Sequence, residues 1–262
     1  MNQLRSARPQ LSIVLPCFNP RPGWHLVVEQ CYCDLKLLLP DTIIELIVVN
    51  DGSVKPLSAA SRRILSRRCP GLQLLQHEQN RGKGYTVRKG VLEARAPFVI
   101  YTDIDCPYTA ADLAAMYQSL VKDEADIITG IREDIYNQQL SWIRSLVSNA
   151  CNFLNRKVLH LPFRDVQSGL KGMNQTGRAL LLQTTINRFL FDTEFIWLAG
   201  TYTDVRVAAK PVVLREGLHF PPMPPVTYLK EAGNFSRILF KDIVLSIRRM
   251  DAKSARTIPH TA

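Results

Sequence analysis

Residues 98–105 read FVIYTDID, an apolar run of strand-forming residues that ends in two carboxylates. Side chains alternate between the two faces of a strand, so Asp103 and Asp105 are predicted to point to the same side. Two hard oxygen ligands on one side suit Mg²⁺ or Mn²⁺. Paired acidic residues are also common on solvated loops, so this stretch alone leaves both interpretations open.

Further short β-rich runs precede and follow this one, separated by amphipathic stretches. This alternation predicts an α/β fold, with a mostly parallel sheet covered by helices on both faces. In such sheets ligands bind at the carboxyl ends of the strands, so polar residues just after each run are candidate ligand contacts. The predicted strands are LSIVLP (11–16), IIELIVV (43–49), LQLLQ (72–76), FVIYTD (98–103) and DIITG (126–130).

The chain has 262 residues, 46% of them apolar, which is enough for one substantial core. We predict one domain over 10–218, with a first half at 10–135 and a second, more helical half at 136–218. The proline-dense HFPPMPPV (219–226) is incompatible with a regular helix or a central strand. It opens a segment, 219–250, that closes with the amphipathic stretch NFSRILFKDIVLSIRRM, and 251–262 are predicted to be a disordered tail.

The formal net charge of +10 favours an anionic partner such as nucleic acid, a lipid surface or a phosphorylated substrate. The aromatic residues are not interleaved with Arg and Lys as stacking platforms require, so nucleic acid is not expected. The six cysteines lack paired spacing, which predicts reduced thiols rather than a zinc site or disulfides. No apolar run approaches the roughly 20 residues of a membrane span, and the N-terminus lacks a signal-peptide stretch, so we expect a cytoplasmic catalytic body.

Two polar motifs follow predicted strands. Asn50-Asp51-Gly52-Ser53 places a carboxylate at a strand end, where it can bind a base or ribose or simply shape a turn. Asn80-Arg81-Gly82-Lys83-Gly84 combines two glycines with a lysine near a helix start, which suits a phosphate but also a solvated basic loop. Four basic residues are candidates to complete a phosphate clamp, each with an ordinary surface cation as the alternative: Arg132, Arg144, Lys171 and Arg215.

Seven motifs taken in order resemble the family 2 glycosyltransferases, and most closely the branch that makes dolichyl- and polyprenyl-phosphate sugars. They are LSIVLPCFNP, ELIVVNDGS, NRGKGYTVRKGV, FVIYTDIDCPYTAADL, ITGIRE, RDVQSGLKGMN and FLFDTEF. The resemblance implies a GT-A fold and inverting transfer of a hexose, glucose first, from a nucleotide-sugar to a polyprenyl phosphate. It implies UDP-glucose as the favoured donor, with GDP-mannose as the alternative, and Mg²⁺ or Mn²⁺ as the cofactor.

The resemblance also implies roles for single residues. A cation held by Asp103 and Asp105 would act as a Lewis acid on the leaving nucleoside diphosphate. The nucleotide-sugar would contact Pro16, Asn19, Asp51, Lys83, Asp103, Ile104 and Asp105. Phosphates of donor or acceptor would contact Arg132, Arg144, Lys171 and Arg215. The catalytic candidates are Asp165, Gln167 and Glu194.

A phosphate acceptor is already ionised near neutral pH, so Asp165 would orient it rather than deprotonate it. A hydroxyl acceptor would need a base, for which Asp165 or Glu194 is the nearest candidate. The alternative for the FDTE segment, 191–194, is structural: Asp192 would cap a helix and Glu194 would lie in its first turn.

Departures from the family pattern keep two other functions open. A hydroxyl acceptor is the alternative because Gly217-Leu218-His219-Phe220 replaces the Gly-Ser-Lys-like segment of the lipid-directed branch. A catalytically inactive, nucleotide-binding relative is the other alternative, since Asn50 and Asn19 stand where acidic residues are common. The C-terminal helix, with Arg and Lys beside an apolar face, either packs on the body or lies on an anionic membrane as a peripheral anchor.

Overall fold

The computed structural model describes residues 8–132, 168–215 and 225–256. A seven-stranded sheet with the order β3-β2-β1-β4-β6-β5-β7 forms its centre. The strands are β1 (Leu11–Cys17), β2 (Ile44–Asn50), β3 (Leu72–Gln76), β4 (Phe98–Tyr101), β5 (Ile127–Arg132), β6 (Lys171–Met173) and β7 (Val207–Val212). All five predicted strands are present, and their ends agree with the prediction to within two residues.

The pairings within the sheet are parallel except around β6, which runs antiparallel to both β4 and β5. The sequence did not predict β6 or β7. The strand β6 has only three residues, KGM, and β7 contains a proline, so neither carries a clear alternating pattern.

Helices cover both faces, as predicted. Their bounds are α1 (Trp24–Leu38), α2 (Ala59–Arg68), α3 (Lys83–Glu93), α4 (Ala110–Val121), α5 (Gln175–Leu181), α6 (Phe191–Thr201) and α7 (Pro225–Arg256), numbered over the described residues. Alternate side chains of β1 separate the two cores: Ile13 and Leu15 pack with α1 and α4, whereas Val14 packs with α3 and α6. A helix near Asp192 is confirmed as α6.

The C-terminal helix α7 begins earlier than predicted, at Pro225 rather than near residue 234. A proline fits the first turn of a helix because the amide it lacks would have no partner there. The exclusion of helix from 219–226 is therefore wrong for its last two residues. No helix within the described ranges is long and apolar enough to cross a membrane.

The five cysteines that lie in the described ranges are free thiols, in agreement with the prediction. Four of them are buried, and Cys33 is exposed. Cys151 lies outside the described residues, as does the part of the predicted more helical half at 136–167.

Candidate active site

A cavity of about 390 Å³ opens at the carboxyl edge of the sheet. Loops that follow β1, β2, β3 and β4 form most of its wall, because parallel strands end at the same edge. Five residues predicted from the sequence as nucleotide-sugar contacts meet there. The lining residues are Pro16, Cys17, Phe18, Asp51, Asn80, Gly82, Lys83, Thr86, Asp103, Ile104, Arg188 and Phe189.

The carboxylate of Asp51 organises the glycine-containing loop after β3. It is almost completely buried and accepts hydrogen bonds from the backbone amides of Arg81 and Gly82, both at 2.8 Å. The side-chain Nδ2 of Asn80 and Nδ1 of His77 add contacts of 2.9 Å each. Both carboxylate oxygens therefore bind the protein itself, so Asp51 is a brace for this loop as well as part of the cavity wall.

Gly82 brings this loop against a segment far away in the chain. Its φ of 98° lies in the region that favours glycine, and an added Cβ would stand 2.3 Å from the carbonyl oxygen of Asn187. The Gly84 amide donates to the same carbonyl at 2.8 Å. This close packing holds Arg188 and Phe189 at the cavity and places Lys83 as the first residue of α3.

The two acidic residues of the DID segment lie in a turn, not in β4. The strand ends at Tyr101, and the Cys106 amide donates to the Asp103 carbonyl at 2.9 Å to close the turn. Strand alternation is therefore the wrong reason for expecting Asp103 and Asp105 on one side. Asp103 nevertheless lines the cavity, and Asp105 is exposed beside it.

Lys83 and Asp103 form an ion pair at the cavity wall, with 2.5 Å between Nζ and Oδ1. Burial lowers the pKa of Lys83, but Asp103 and then Asp192 raise it by more, so the lysine is a cation at neutral pH. An added Cβ at Gly169 would lie 2.5 Å from Asp103 Oδ2, so the backbone at Gly169 packs directly against this carboxylate. Three motifs distant in sequence thus converge on Asp103.

The turn over 103–106, called the acidic turn below, has side chains that suit a divalent cation. Burial and, after it, repulsion from the Asp103 carboxylate raise the pKa of Asp105. A cation between two carboxylates would relieve this repulsion, and oxygen ligands suit Mg²⁺ or Mn²⁺. Within the described residues no three His, Cys, Asp or Glu side chains converge on one point.

Arg215, one of the predicted phosphate contacts in the described ranges, reaches the acidic turn. Its guanidinium donates to the Asp105 carbonyl at 3.3 Å, and its own amide donates to the Pro107 carbonyl. Arg132 ends β5, half-buried beside β7. Arg144 lies outside the described residues.

Lys171 lies inside the fold, which corrects the expectation that it faces a phosphate at the surface. Its side chain is completely buried, and Nζ donates to the Asp192 carboxylate at 2.8 Å and to the Ser168 carbonyl at 2.7 Å. The Tyr101 hydroxyl donates to the same carboxylate oxygen of Asp192. The role of Asp192 as a helix cap is therefore also wrong: α6 has Leu190 at its N-cap with no side-chain hydrogen bond, and Asp192 binds across to the sheet.

Glu194 is buried and structural, which corrects its prediction as a catalytic base. Its carboxylate accepts from the amides of Thr185 and Ile186, both at 2.8 Å, and from Lys241 of α7. Burial raises the pKa of Glu194, but these hydrogen bonds together lower it below its ordinary value. The residue thus ties α6 to the preceding loop and to α7. Asp165 and Gln167, the other catalytic candidates, lie outside the described residues.

Asn19 joins the first two loops rather than lining the main cavity. Its backbone amide donates to Ser53 Oγ at 2.8 Å, and its side-chain Oδ1 accepts from the Val54 backbone amide at 2.9 Å. The Ser53 hydroxyl in turn donates to Asn50 Oδ1 at 2.6 Å. Both positions where the family commonly has acidic residues thus serve local hydrogen bonding, and Asn19 lines a neighbouring pocket of about 540 Å³.

Sequence reasoning missed five cavity residues: Cys17, Phe18, Thr86, Arg188 and Phe189. Phe189 opens the FLFDTEF motif but was not predicted as a contact, and no motif includes Arg188. The packing of their segment against Gly82 carries both residues to the cavity. Cys17 also lines the cavity, and burial raises the pKa of its thiol to about 12, which keeps it protonated and poorly nucleophilic.

Comparison with known proteins accounts for this arrangement. The family model for glycosyl transferase family 2 matches residues 12–179. Dolichyl-phosphate beta-glucosyltransferase of Drosophila melanogaster is 28% identical over 203 residues, which cover 72% of this chain and 62% of that protein. Dodecaprenyl-phosphate galacturonate synthase of Rhizobium johnstonii is 24% identical over 204 residues, covering 78% and 58%. The chain thus spans slightly under two thirds of these relatives.

A solved structure supports the same assignment at the level of fold. Glucosyl-3-phosphoglycerate synthase from Mycobacterium tuberculosis, in complex with phosphoglyceric acid, superposes with a TM-score of 0.58 at 18% identity, over 91% of this chain and 81% of that one. The mostly parallel sheet with helices on both faces is the GT-A fold, as expected. With a matching family model over most of its length and this sheet around an acidic turn, the chain belongs to glycosyl transferase family 2.

Proposed function

We propose that this glycosyltransferase moves a hexose, glucose in the first instance, from a nucleotide-sugar to a polyprenyl phosphate, with the help of a divalent cation. The observation that carries the proposal is the convergence of Lys83, Asp103 and the loop braced by Asp51 on one cavity. The two relatives from Drosophila and Rhizobium are named for transfer to dolichyl phosphate and dodecaprenyl phosphate. Both acceptors are polyprenyl phosphates.

The donor side of the proposal follows from the cavity walls. Phe18 and Pro16 offer apolar surface for a base, and the backbone of the Asp51-braced loop closes that wall. The Lys83 ammonium and the Arg215 guanidinium each contact a residue of the acidic turn. Two cations there would neutralise charge that grows on a leaving diphosphate as the bond to the sugar breaks.

In this proposal Asp103 and Asp105 hold the cation, which supplies Lewis-acid chemistry to the leaving diphosphate when bound. A solved relative of this fold, glucosyl-3-phosphoglycerate synthase from Mycobacterium tuberculosis, is described in complex with Mn²⁺ and UDP. Lys83, whose ammonium pairs with Asp103, would contact the diphosphate of the donor from the same position. Both Mg²⁺ and Mn²⁺ suit this pair of carboxylates.

The acceptor side favours a group that is already ionised. Glu194, one of the two candidate bases for a hydroxyl acceptor beside Asp165, accepts hydrogen bonds from Thr185, Ile186 and Lys241 and does not line the cavity. A phosphate oxygen attacks the anomeric carbon without such a base. Asp165 then keeps the role of orienting the acceptor. We place the reaction on the cytoplasmic face of a membrane, where a polyprenyl phosphate presents its head group.

Calorimetric titration with UDP-glucose and GDP-mannose, with and without Mn²⁺, tests the donor and cation together. We expect binding of one donor that strengthens when Mn²⁺ is present. In Asp105→Ala the Mn²⁺-dependent part of the affinity should disappear while the unfolding midpoint stays unchanged, because Asp105 is exposed. Asp41→Ala, which removes an exposed carboxylate away from the cavity, is the matched control and should bind as the unmodified protein does.

Turnover of the bound donor on a short prenyl phosphate then tests the acceptor. Formation of the prenyl-phosphate sugar supports the proposal. Donor binding without turnover on this acceptor would support the nucleotide-sugar donor and contradict the prenyl-phosphate acceptor. Hydroxyl acceptors would then be tested. If Asp105→Ala kept its full Mn²⁺-dependent affinity, the cation site would have been assigned to the wrong residues.

A further inference from the structure

The helix α7 carries an apolar stripe on the side that faces away from the body. Phe240, Ile243 and Ile247 expose 69%, 56% and 48% of their surface. Their spacing of three and four residues places them on one face of a helix, opposite the fully buried Ile238. We call Phe240, Ile243 and Ile247 the outer stripe. Exposed apolar side chains in such an alignment mark a contact surface more often than isolated ones do.

The inner side of α7 accounts for the packing of the helix without the outer stripe. Phe235, Leu239 and Leu245 pack against the core around Ile238. Hydrogen bonds fix this side as well: the Trp197 indole donates to Asp242 at 2.8 Å. The helix is therefore packed against the body through its inner side, and the outer stripe takes no part in that packing.

The charges on α7 are divided between its two sides. Glu231 and Asp242 are the only acidic residues in 225–250, and both turn inward, where they accept hydrogen bonds from the Leu190 amide and from Trp197. Lys230 and Arg237 are exposed. Over 230–247, where the side chains of the helix are described, the outward side thus combines apolar and basic residues without a carboxylate. This is the composition of a helix that lies in the interface of an anionic bilayer.

The position of α7 connects this surface with the cavity. Glu231, in the second turn of the helix, accepts from the Leu190 amide at 3.0 Å, directly after the cavity residues Arg188 and Phe189. Phe189 is itself 44% exposed. The N-terminal part of α7 therefore lies next to the cavity wall, and a surface that covers the outer stripe would hold the cavity close to it.

We propose that the outer stripe of α7, flanked by Lys230 and Arg237, docks the enzyme on an anionic lipid bilayer and presents the cavity to acceptors in that bilayer. This inference rests on the proposed function, since a polyprenyl acceptor keeps its chain in the membrane. A second copy of the chain is the other apolar occupant to consider. The formal net charge of +10 on each copy opposes self-association and favours an anionic surface.

Flotation with phosphatidylcholine vesicles, with or without phosphatidylglycerol, tests the docking. We expect the protein to float with the anionic vesicles. The triple variant Phe240→Ser/Ile243→Ser/Ile247→Ser should lose affinity for them at least about tenfold, because three apolar side chains no longer enter the interface. The matched control replaces three apolar residues with serine at exposed positions on other helices and should float as the unmodified protein does: Leu26, Leu37 and Leu92.

A second variant tests the basic flank independently of the apolar residues. Lys230→Glu/Arg237→Glu should reduce binding to anionic vesicles, and added salt should weaken the binding of the unmodified protein in the same direction. The unfolding midpoint of each variant is measured alongside, and both should match the unmodified protein. Unchanged flotation of the triple variant and the charge variant would overturn the proposal.

Two further readouts separate this inference from its alternatives. Turnover on a short, water-soluble prenyl phosphate should be the same in the triple variant and the unmodified protein, whereas turnover on an acceptor embedded in vesicles should fall with binding. Vesicle binding without any turnover on either acceptor would contradict the proposed function and leave the docking intact. A lipid-free dimer that the triple variant converts to a monomer, with unchanged flotation, would assign the stripe to self-association instead.

Discussion

Replacement of Asp51 by asparagine tests whether this residue braces the glycine-containing loop or only contacts a nucleoside. The carboxylate has two donors on each oxygen: His77 and the Arg81 amide on Oδ1, and Asn80 and the Gly82 amide on Oδ2. An asparagine keeps one oxygen as an acceptor and turns an NH₂ group towards the other two donors. The variant therefore loses two hydrogen bonds to a charged group and buries opposing donors.

The magnitude follows from those two contacts. A hydrogen bond to a charged group contributes about 1.5–3 kcal/mol, so two of them give a loss of about 3–6 kcal/mol in the free energy of unfolding. The loss should be near the upper end, because Asp51 is almost completely buried and water cannot replace its contacts. Donor affinity should fall as well, since Gly82 and Lys83 follow directly in the loop that is released.

Urea unfolding followed by tryptophan fluorescence measures the free energy of unfolding, and calorimetry measures donor affinity. Asp41→Asn makes the same charge change at an exposed position and is the control. If Asp51→Asn weakened donor binding but changed the free energy of unfolding by less than about 1 kcal/mol, the bracing role would be refuted. The nucleoside contact that the family resemblance implies would then be its main function.

Three further outcomes follow from the cavity and its supports. Gly82→Ala should lower the free energy of unfolding by at least about 2 kcal/mol and weaken donor binding, because its Cβ would meet the backbone of Asn187; an unchanged urea midpoint would contradict this. Gly169→Ala should weaken cation-dependent donor binding more than it lowers the free energy of unfolding, because its Cβ displaces the Asp103 carboxylate. Calorimetry measures the binding and urea unfolding measures the stability. The folded-state pKa of Glu194 lies below its ordinary value of 4.5, so its contribution is present above that pH and is lost as the pH falls through the folded-state value. In Glu194→Gln the free energy of unfolding should therefore fall less steeply as the pH is lowered below 4.5 than in the unmodified protein. An identical pH dependence in both proteins would contradict this.

The sequence alone determined the elements whose pattern is local. The five predicted strands have continuous apolar runs, and such runs need both faces of a sheet covered whatever the rest of the chain does. The loops after these strands were located for the same reason, so the order of strands and motifs was enough to assign Asp51, Lys83 and Asp103 to one edge of the sheet. The short β6 and the proline-containing β7 lack this local signal, and their places in the sheet depend on pairing with distant strands.

Tertiary structure decided what each polar side chain contacts. Lys171, Asp192 and Glu194 have the residue types of a catalytic site, yet the fold buries all three and gives each of them a protein partner. Conversely, Arg188 lies outside every motif and Phe189 only opens the FLFDTEF motif, yet both reach the cavity because Gly82 lets two segments pack closely. The sequence records which chemistry a residue can perform, but whether it meets solvent, a ligand or a buried partner depends on neighbours that are remote in the chain.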